Sequence, residues 1–252
     1  DINGIAKAKG EIIDNIKKKG TIILNHDDKF YNYFLNKARS KKINVVSFGT
    51  SKGSDIRLVK SIQNKKTKTL IIRVNNFEFK LNIKNINVLN VLASIAILKE
   101  LKLDLNRVIT PLAKFEPTSG RGKIHNIFRY GKNFKFIDES YNANPISFKH
   151  AINSLANIEK NHFKKYLLIG DMLELGSKSE IYHKQLAKLI NRSDIDKVFV
   201  KGEKTIFTYQ NLIKNKRGNM IQCDQDIDLI LKNIIANKDY LMIKGSNATG
   251  LN

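Results

Sequence analysis

Short runs of β-branched and aromatic residues alternate along this chain with longer stretches whose apolar positions recur every three to four residues. That alternation is the pattern of an α/β protein. The spacing predicts helices over 5–18, 30–41, 87–101 and 104–113, and strands over 21–25, 44–48, 56–58, 69–74 and 78–83. In the second helix Phe30, Tyr33, Phe34 and Ala38 share a face; in the third, Val88, Val91, Leu92 and Ile95 form one stripe. The last three strands are expected to pair antiparallel, with Asn75-Asn76 turning the final two as a hairpin. EPTSGRGK at 116–123, with Pro117 and two glycines, is the best boundary, giving units 1–116 and 117–252. Beyond it, strands over 135–138, 166–169, 197–200 and 240–243 alternate with helices near 146–159, 179–191, 205–213 and 225–236. This second unit reads as a Rossmann-like domain with a doubly wound, mostly parallel sheet.

Composition narrows the class. With 252 residues, 42% of them hydrophobic, the chain can bury two modest cores. No run of about 18 apolar residues suggests a membrane span, and the first residues lack the basic-then-apolar order of a signal peptide. The single cysteine, Cys223, excludes an internal disulfide framework and a cysteine-based zinc site, and fits a reducing cytoplasm. A net charge of +22 and a pI near 9.9 prompt a search for nucleic acid. The lysines are scattered among many Asn and Ile, however, with no aromatic-studded groove or recognition helix. Solvated surface lysines are the better reading, so no nucleic-acid partner is expected. The charge can still help attract a polyanionic nucleotide.

Two near-matches to phosphate loops fail on order. GTSKGS at 49–54 places Lys before Gly and leads into a strand-like segment, and KGEKT at 201–205 lacks the second glycine. Both read as turns, so no intact phosphate loop lies in the sequence. IDESYNANP at 137–145 is more demanding. A hydrophobic strand ends in two acids, Asp138 and Glu139, and then in amides, at the strand terminus where open α/β sheets bind ligands. Helix capping explains Asn144 and Pro145 but not the acids or Asn142. GDMLELG at 170–176 and KGS at 244–246 also follow strands, each readable as a plain connection or as part of a site. Arg121, between two glycines, offers a planar fork to phosphate or carboxylate, a weak signal by itself.

Taken in order, AKAKGEI (6–12), NHDD (25–28), NVLNVLA (87–93), GRGK (120–123), DESYNANP (138–145), GDMLELG (170–176) with His183 beyond, and KGSN (244–247) resemble the Mur ligases. Within that family the resemblance is to the branch that adds D-Ala-D-Ala. The resemblance implies an incomplete central ATPase domain over 1–116, followed by a C-terminal Rossmann-like domain over 117–252. It implies ATP and Mg2+ as cofactors, UDP-MurNAc-tripeptide and D-Ala-D-Ala as substrates, an acyl-phosphate intermediate, and a cytoplasmic monomer.

The resemblance also implies roles residue by residue. Lys9 matches a lysine that supports Mg2+ when carbamylated. Asn87 and Asn90 match asparagines that approach adenine, although Ile86 stands where the family has His. Arg121 matches an arginine near ATP. Asp138 or Glu139 matches the acid that binds ribose. Asn142, Asn144 and Lys244 would contact D-Ala-D-Ala or the acyl phosphate. The stretch matching this family begins after its phosphate loop and ends at KGSNATGLN. The expectation is therefore a fragment that does not ligate by itself. Two alternatives stay open: another Mur or folylpolyglutamate-type amide ligase, and a non-catalytic nucleotide-binding module.

Overall fold

The computed structural model describes residues 2–64, 67–84, 86–159 and 162–251. The chain folds as two compact α/β units, one ending at Glu116 and the other starting at Pro117.

The first unit holds a mixed sheet of β1 (Thr21–Asn25), β2 (Asn44–Gly49), β3 (Ile56–Gln63), β4 (Lys68–Val74) and β5 (Phe77–Ile83), in that spatial order. β1, β2 and β3 run parallel, and β3, β4 and β5 antiparallel. Pleat alternation divides the parallel strands between two faces. Ile22 and Val45 pack with Ile13 and Ala38 of α1 (Ile2–Asp14) and α2 (Tyr31–Ser40). Ile23, Val46 and Phe48 turn the other way, toward Val91, Leu92 and Ile95 of α3 (Val88–Glu100). α4 (Leu105–Lys114) follows. Its N-cap is Asp104, whose side chain accepts from the Asn106 N–H at 3.0 Å.

Some boundaries differ from the sequence reading. α1 stops at Asp14 rather than 18, because the chain turns through Lys19 in the left-handed region and closes on a Gly20 N–H to Lys17 carbonyl bond. β3 runs five residues past 58. A register shift between Leu58 and Lys60 breaks its alternation, and residues 59–63 are exposed, which hides the strand from pattern reading. The hairpin turns at Asn75-Asn76 as expected, with Asn75 at φ 54°, a conformation Asn tolerates well.

The second unit contains β6 (Lys123–Arg129), β7 (Lys132–Glu139), β8 (Lys165–Gly170), β9 (Lys197–Lys201), β10 (Arg217–Met220) and β11 (Tyr240–Lys244). They are ordered β10-β9-β8-β11-β7-β6 and parallel except for β6, which pairs antiparallel with β7 at the edge. β8 is buried along its whole length. Its Leu167 and Ile169 face α5 (Pro145–Ala156) and α6 (Ser179–Asn191), through Phe148, Ile152 and Ile190. Tyr166 and Leu168 face α8 (Asp224–Asn233), through Ile230 and Leu231. α7 (Thr205–Asn211) lies between β9 and β10 in the chain.

Part of the basic composition has a structural use. Lys165 Nζ donates to the Ala156 carbonyl ending α5 at 2.6 Å, and Lys216 Nζ to Ile190 near the end of α6 at 2.8 Å. Arg217 Nε donates to Leu212 just past α7 at 2.9 Å. Lys132 Nζ reaches the carbonyls of Lys232 and Ile235 around the end of α8, at 2.5 and 2.7 Å. Each cation meets the negative pole of a helix and carbonyls that have no partner within it.

Candidate functional site

In the second unit the loops at the carboxyl ends of the parallel strands are tied to one another. The Asp138 carboxylate, near the end of β7, accepts from Ser119 Oγ and the Gly120 N–H at 2.7 Å on one oxygen. The other oxygen accepts from Ser140 Oγ at 2.6 Å and the Ser140 N–H at 3.1 Å. Burial alone would push its pKa up; the hydrogen bonds from Ser140, Ser119 and Gly120 outweigh that and hold the carboxyl below its ordinary value. Two more bonds close the 118–122 loop on the strand end, Gly122 N–H to the Asp138 carbonyl at 2.7 Å and Tyr141 N–H to the Gly120 carbonyl at 3.1 Å.

Both glycines of GRG are required here. Gly120 has φ 77° and a Cβ there would lie 2.9 Å from the Tyr141 Cβ; Gly122 has φ 91° and its Cβ would lie 2.8 Å from Glu139 Oε1. Between them Arg121 is exposed, its guanidinium 4.2 Å from the centre of the Tyr141 ring. The fork is held at the surface by stacking.

Adjacent residues of a strand point to opposite faces, so Asp138 and Glu139 have different surroundings. Glu139 keeps 27% of its side chain exposed and meets Lys244 Nζ at 3.4 Å. Lys244 is 1% exposed. Its ammonium donates to the Asn142 carbonyl at 2.9 Å and lies 5.3 Å from the Phe148 ring centre. Burial lowers its pKa, partly countered by Glu139. Its ammonium is thus turned inward, onto Glu139 and the loop that carries Asn142.

Asn144 is largely occupied as well. Its side-chain oxygen accepts from the Ser147 N–H at 2.8 Å, and its own N–H donates to Ser147 Oγ at 3.0 Å, a reciprocal cap on α5 with Pro145 in the first turn. Asn142 is exposed.

The GDMLELG loop is anchored at three successive residues. Asp171 Oδ1 accepts the N–H groups of Lys204 and Thr205 at 3.0 and 2.8 Å, which fastens it to the start of α7 and to the KGEKT turn. Met172 N–H donates to His183 Nε2 at 3.2 Å, and Leu173 N–H to Ser246 Oγ at 3.0 Å. Sequence reasoning missed Ser119, Ser140, Asp171 and Ser246 as builders of this surface. The available signal was a polar residue beside a glycine or acid at each strand end.

In the first unit Lys9 is exposed on α1. Asn87 is the N-cap of α3, its side-chain oxygen accepting from the Leu89 N–H at 2.9 Å, and Asn90 is exposed one turn on. The GTSKGS segment is a turn after β2, closed on Asp27 of NHDD. Asp27 accepts from the N–H and hydroxyl of both Thr50 and Ser51 at 2.6–3.0 Å. No group of three or more His, Cys, Asp or Glu that could hold a metal occurs among the described residues. None of their helices is long and apolar enough to cross a membrane.

Residues 1–98 match the Mur ligase middle domain, and residues 125–247 match the Mur ligase, glutamate ligase domain. The chain belongs to the Mur ligase family. Curated relatives include the UDP-N-acetylmuramoyl-tripeptide--D-alanyl-D-alanine ligases of Rickettsia prowazekii (29% identical) and Bacillus subtilis (28% identical). Each match covers 98% of this chain, with 55% and 53% of the respective relative. This Mur ligase chain thus spans about half the length of the curated relatives it matches. Its fold is shared with the MurF ligase of Thermotoga maritima solved in complex with ADP. That likeness has a TM-score of 0.77 at 22% identity and covers 98% of this chain and 54% of that one. A MurF structure from Acinetobacter baumannii aligns with a TM-score of 0.80 at 22% identity, over 99% of this chain and 54% of that one. These likenesses show the same α/β fold, with its mostly parallel second sheet, and the matched family models assign it to the Mur ligase middle and C-terminal domains.

Proposed function

We propose that this chain is part of a cytoplasmic, ATP-dependent ligase that joins D-Ala-D-Ala to UDP-MurNAc-tripeptide, acting as a monomer. Residues 1–116 would form the later part of its ATP-binding domain and residues 117–252 its C-terminal domain. The observation that carries this reading is the match, along 98% of the chain, to relatives bearing that activity in their names. The chemistry is activation of a poor electrophile. Phosphoryl transfer from ATP to the tripeptide carboxylate gives an acyl phosphate, and the dipeptide amine then displaces phosphate. Cationic groups near the transferring phosphoryl would stabilise the charge that develops there.

The residues divide the work unequally. Arg121, exposed and stacked, suits a nucleotide phosphate. Glu139, partly exposed, is the better acid for a ribose hydroxyl, because Asp138 has both oxygens committed to the 118–122 loop and Ser140. Lys244 is a positioning residue for Glu139 and Asn142. The exposed Asn142 amide suits the dipeptide, with the Asn144 side-chain nitrogen beside it. Asn87 and Asn90 suit adenine through their amide nitrogens.

The described residues do not by themselves fit Mg2+, since Lys9 offers an oxygen ligand only if carbamylated and no carboxylate cluster accompanies it. With no phosphate loop in the sequence, the 252-residue chain should not turn over alone. Two measurements test the proposal. A phosphate-release assay with all three substrates should show no turnover by this chain, and clear turnover would remove the need for a phosphate loop. Titration with ADP should shift the amides of 120–122 and 139–141 in the wild type and less in Glu139→Gln; an equal response in Asp138→Asn and Glu139→Gln would reverse the assignment of the acid.

A further inference from the structure

We propose that His183 sets the position of the GDMLELG loop, as a neutral imidazole, and so is a positioning residue for the surface that receives D-Ala-D-Ala; the last clause rests on the function proposed above. His183 is 0% exposed, on the inner face of α6 with Leu186, Ala187 and Ile190. Its Nδ1 lies 2.8 Å from the Ser179 carbonyl, and its Nε2 lies 3.2 Å from the Met172 amide nitrogen. A carbonyl only accepts and a backbone amide only donates, so Nδ1 must carry the hydrogen and Nε2 must be bare. Both contacts call for the same tautomer.

A histidine that merely filled space could be replaced by any side chain of similar volume. Here the partner is a buried amide on another element: Met172 is 1% exposed, and losing the imidazole acceptor strands its N–H. The neighbouring bonds explain why one amide matters. Asp171 and Leu173 are tied elsewhere, so Met172 is the middle point of a three-residue clamp. Past the clamp the chain emerges. Leu173 is 40% exposed, and Glu174 takes φ 61°, an uncommon backbone conformation for this residue type. Fixing Met172 inward is what aims these two side chains outward at the strand end, where ligands of open α/β sheets bind.

The test uses the 252-residue chain, labelled with 15N. Side-chain nitrogen shifts should report the neutral Nδ1–H form for His183 near neutral pH; the Nε2–H tautomer would overturn the proposal. His183→Gln can place an amide oxygen near the position of Nε2, whereas His183→Asn, equally polar, cannot reach it. Exchange of the Met172 amide should therefore stay close to wild type in His183→Gln and speed up about tenfold or more in His183→Asn. Equal exchange in the two variants would overturn the anchoring role. D-Ala-D-Ala affinity should fall in His183→Asn and be kept in His183→Gln, and equal affinity would overturn the positioning role. A wild type with the expected tautomer and exchange but no affinity for the dipeptide would refute the ligase reading and leave the anchor standing. Should His183→Asn fail to fold, the wild-type tautomer and His183→Gln exchange still decide.

Discussion

Replacing Asp138 with Ala tests how the acids at the end of β7 divide their roles. The substitution removes the acceptor for four donors. The hydroxyls of Ser119 and Ser140 can rotate toward other acceptors, so they are left out of the estimate. The N–H groups of Gly120 and Ser140 cannot turn away, and both residues are buried. Leaving a buried donor unpaired costs about 1–3 kcal/mol, so the expected loss is roughly 2–6 kcal/mol, concentrated in the 118–122 loop. That is a large share of a typical domain stability of about 5–15 kcal/mol. Because the chain has two units, a single denaturation midpoint would blur the effect. Amide exchange is the sharper assay, with Gly120, Gly122 and Tyr141 exchanging much faster in Asp138→Ala while amides of β8 and β9 change less. Asp138→Asn keeps one acceptor oxygen and should fall between. The carboxyl is held below its ordinary value, so its contribution is present above the usual carboxylate range and lost as pH falls through the folded value. The same loop should loosen in acid in the wild type and lose that acid step in Asp138→Ala. Unchanged exchange at Gly120 and Tyr141 at neutral pH would show that Asp138 does not hold this loop.

Other substitutions follow the same logic. Gly122→Ala places a methyl 2.8 Å from Glu139 Oε1 at φ 91°, so it should weaken ADP binding through Glu139 as well as destabilise the loop; unaltered binding and melting would contradict it. Asn144→Ala removes the cap on α5 and should lower stability by about 0.5–2 kcal/mol in urea unfolding of the second unit. Lys132→Met removes the ammonium from the end of α8 and should cost about 1 kcal/mol, read as faster amide exchange in 230–235 with β8 unchanged.

Much of the architecture was legible because buried parallel strands announce themselves. Tyr166–Ile169 and Leu241–Ile243 are continuous apolar runs, and both are interior strands. The strands that escaped sit where that signal fades. β6 reads KIHNIFR, an edge strand with exposed positions on either side of half-buried ones, and β10 reads RGNM with only Met220 apolar. The contacts of the candidate site were less legible than the strand ends that carry them. IDESYNANP marked a strand end, whereas the different contacts of Asp138 and Glu139 depend on which way each residue points from the pleat. The inward turn of Lys244 depends on the Asn142 carbonyl, 102 residues away in sequence. His183 could be seen as a histidine on an apolar helix face; its partner, the Met172 amide, could not.

Whether this strand end receives D-Ala-D-Ala is decided by titrating the labelled chain with D-Ala-D-Ala, D-glutamate and meso-diaminopimelate in turn and following the amides of 139–144 and 171–174. The dipeptide alone should move them, and Asn142→Ala should weaken the response. Equal shifts with the single amino acids, or none with the dipeptide, would contradict the proposed function.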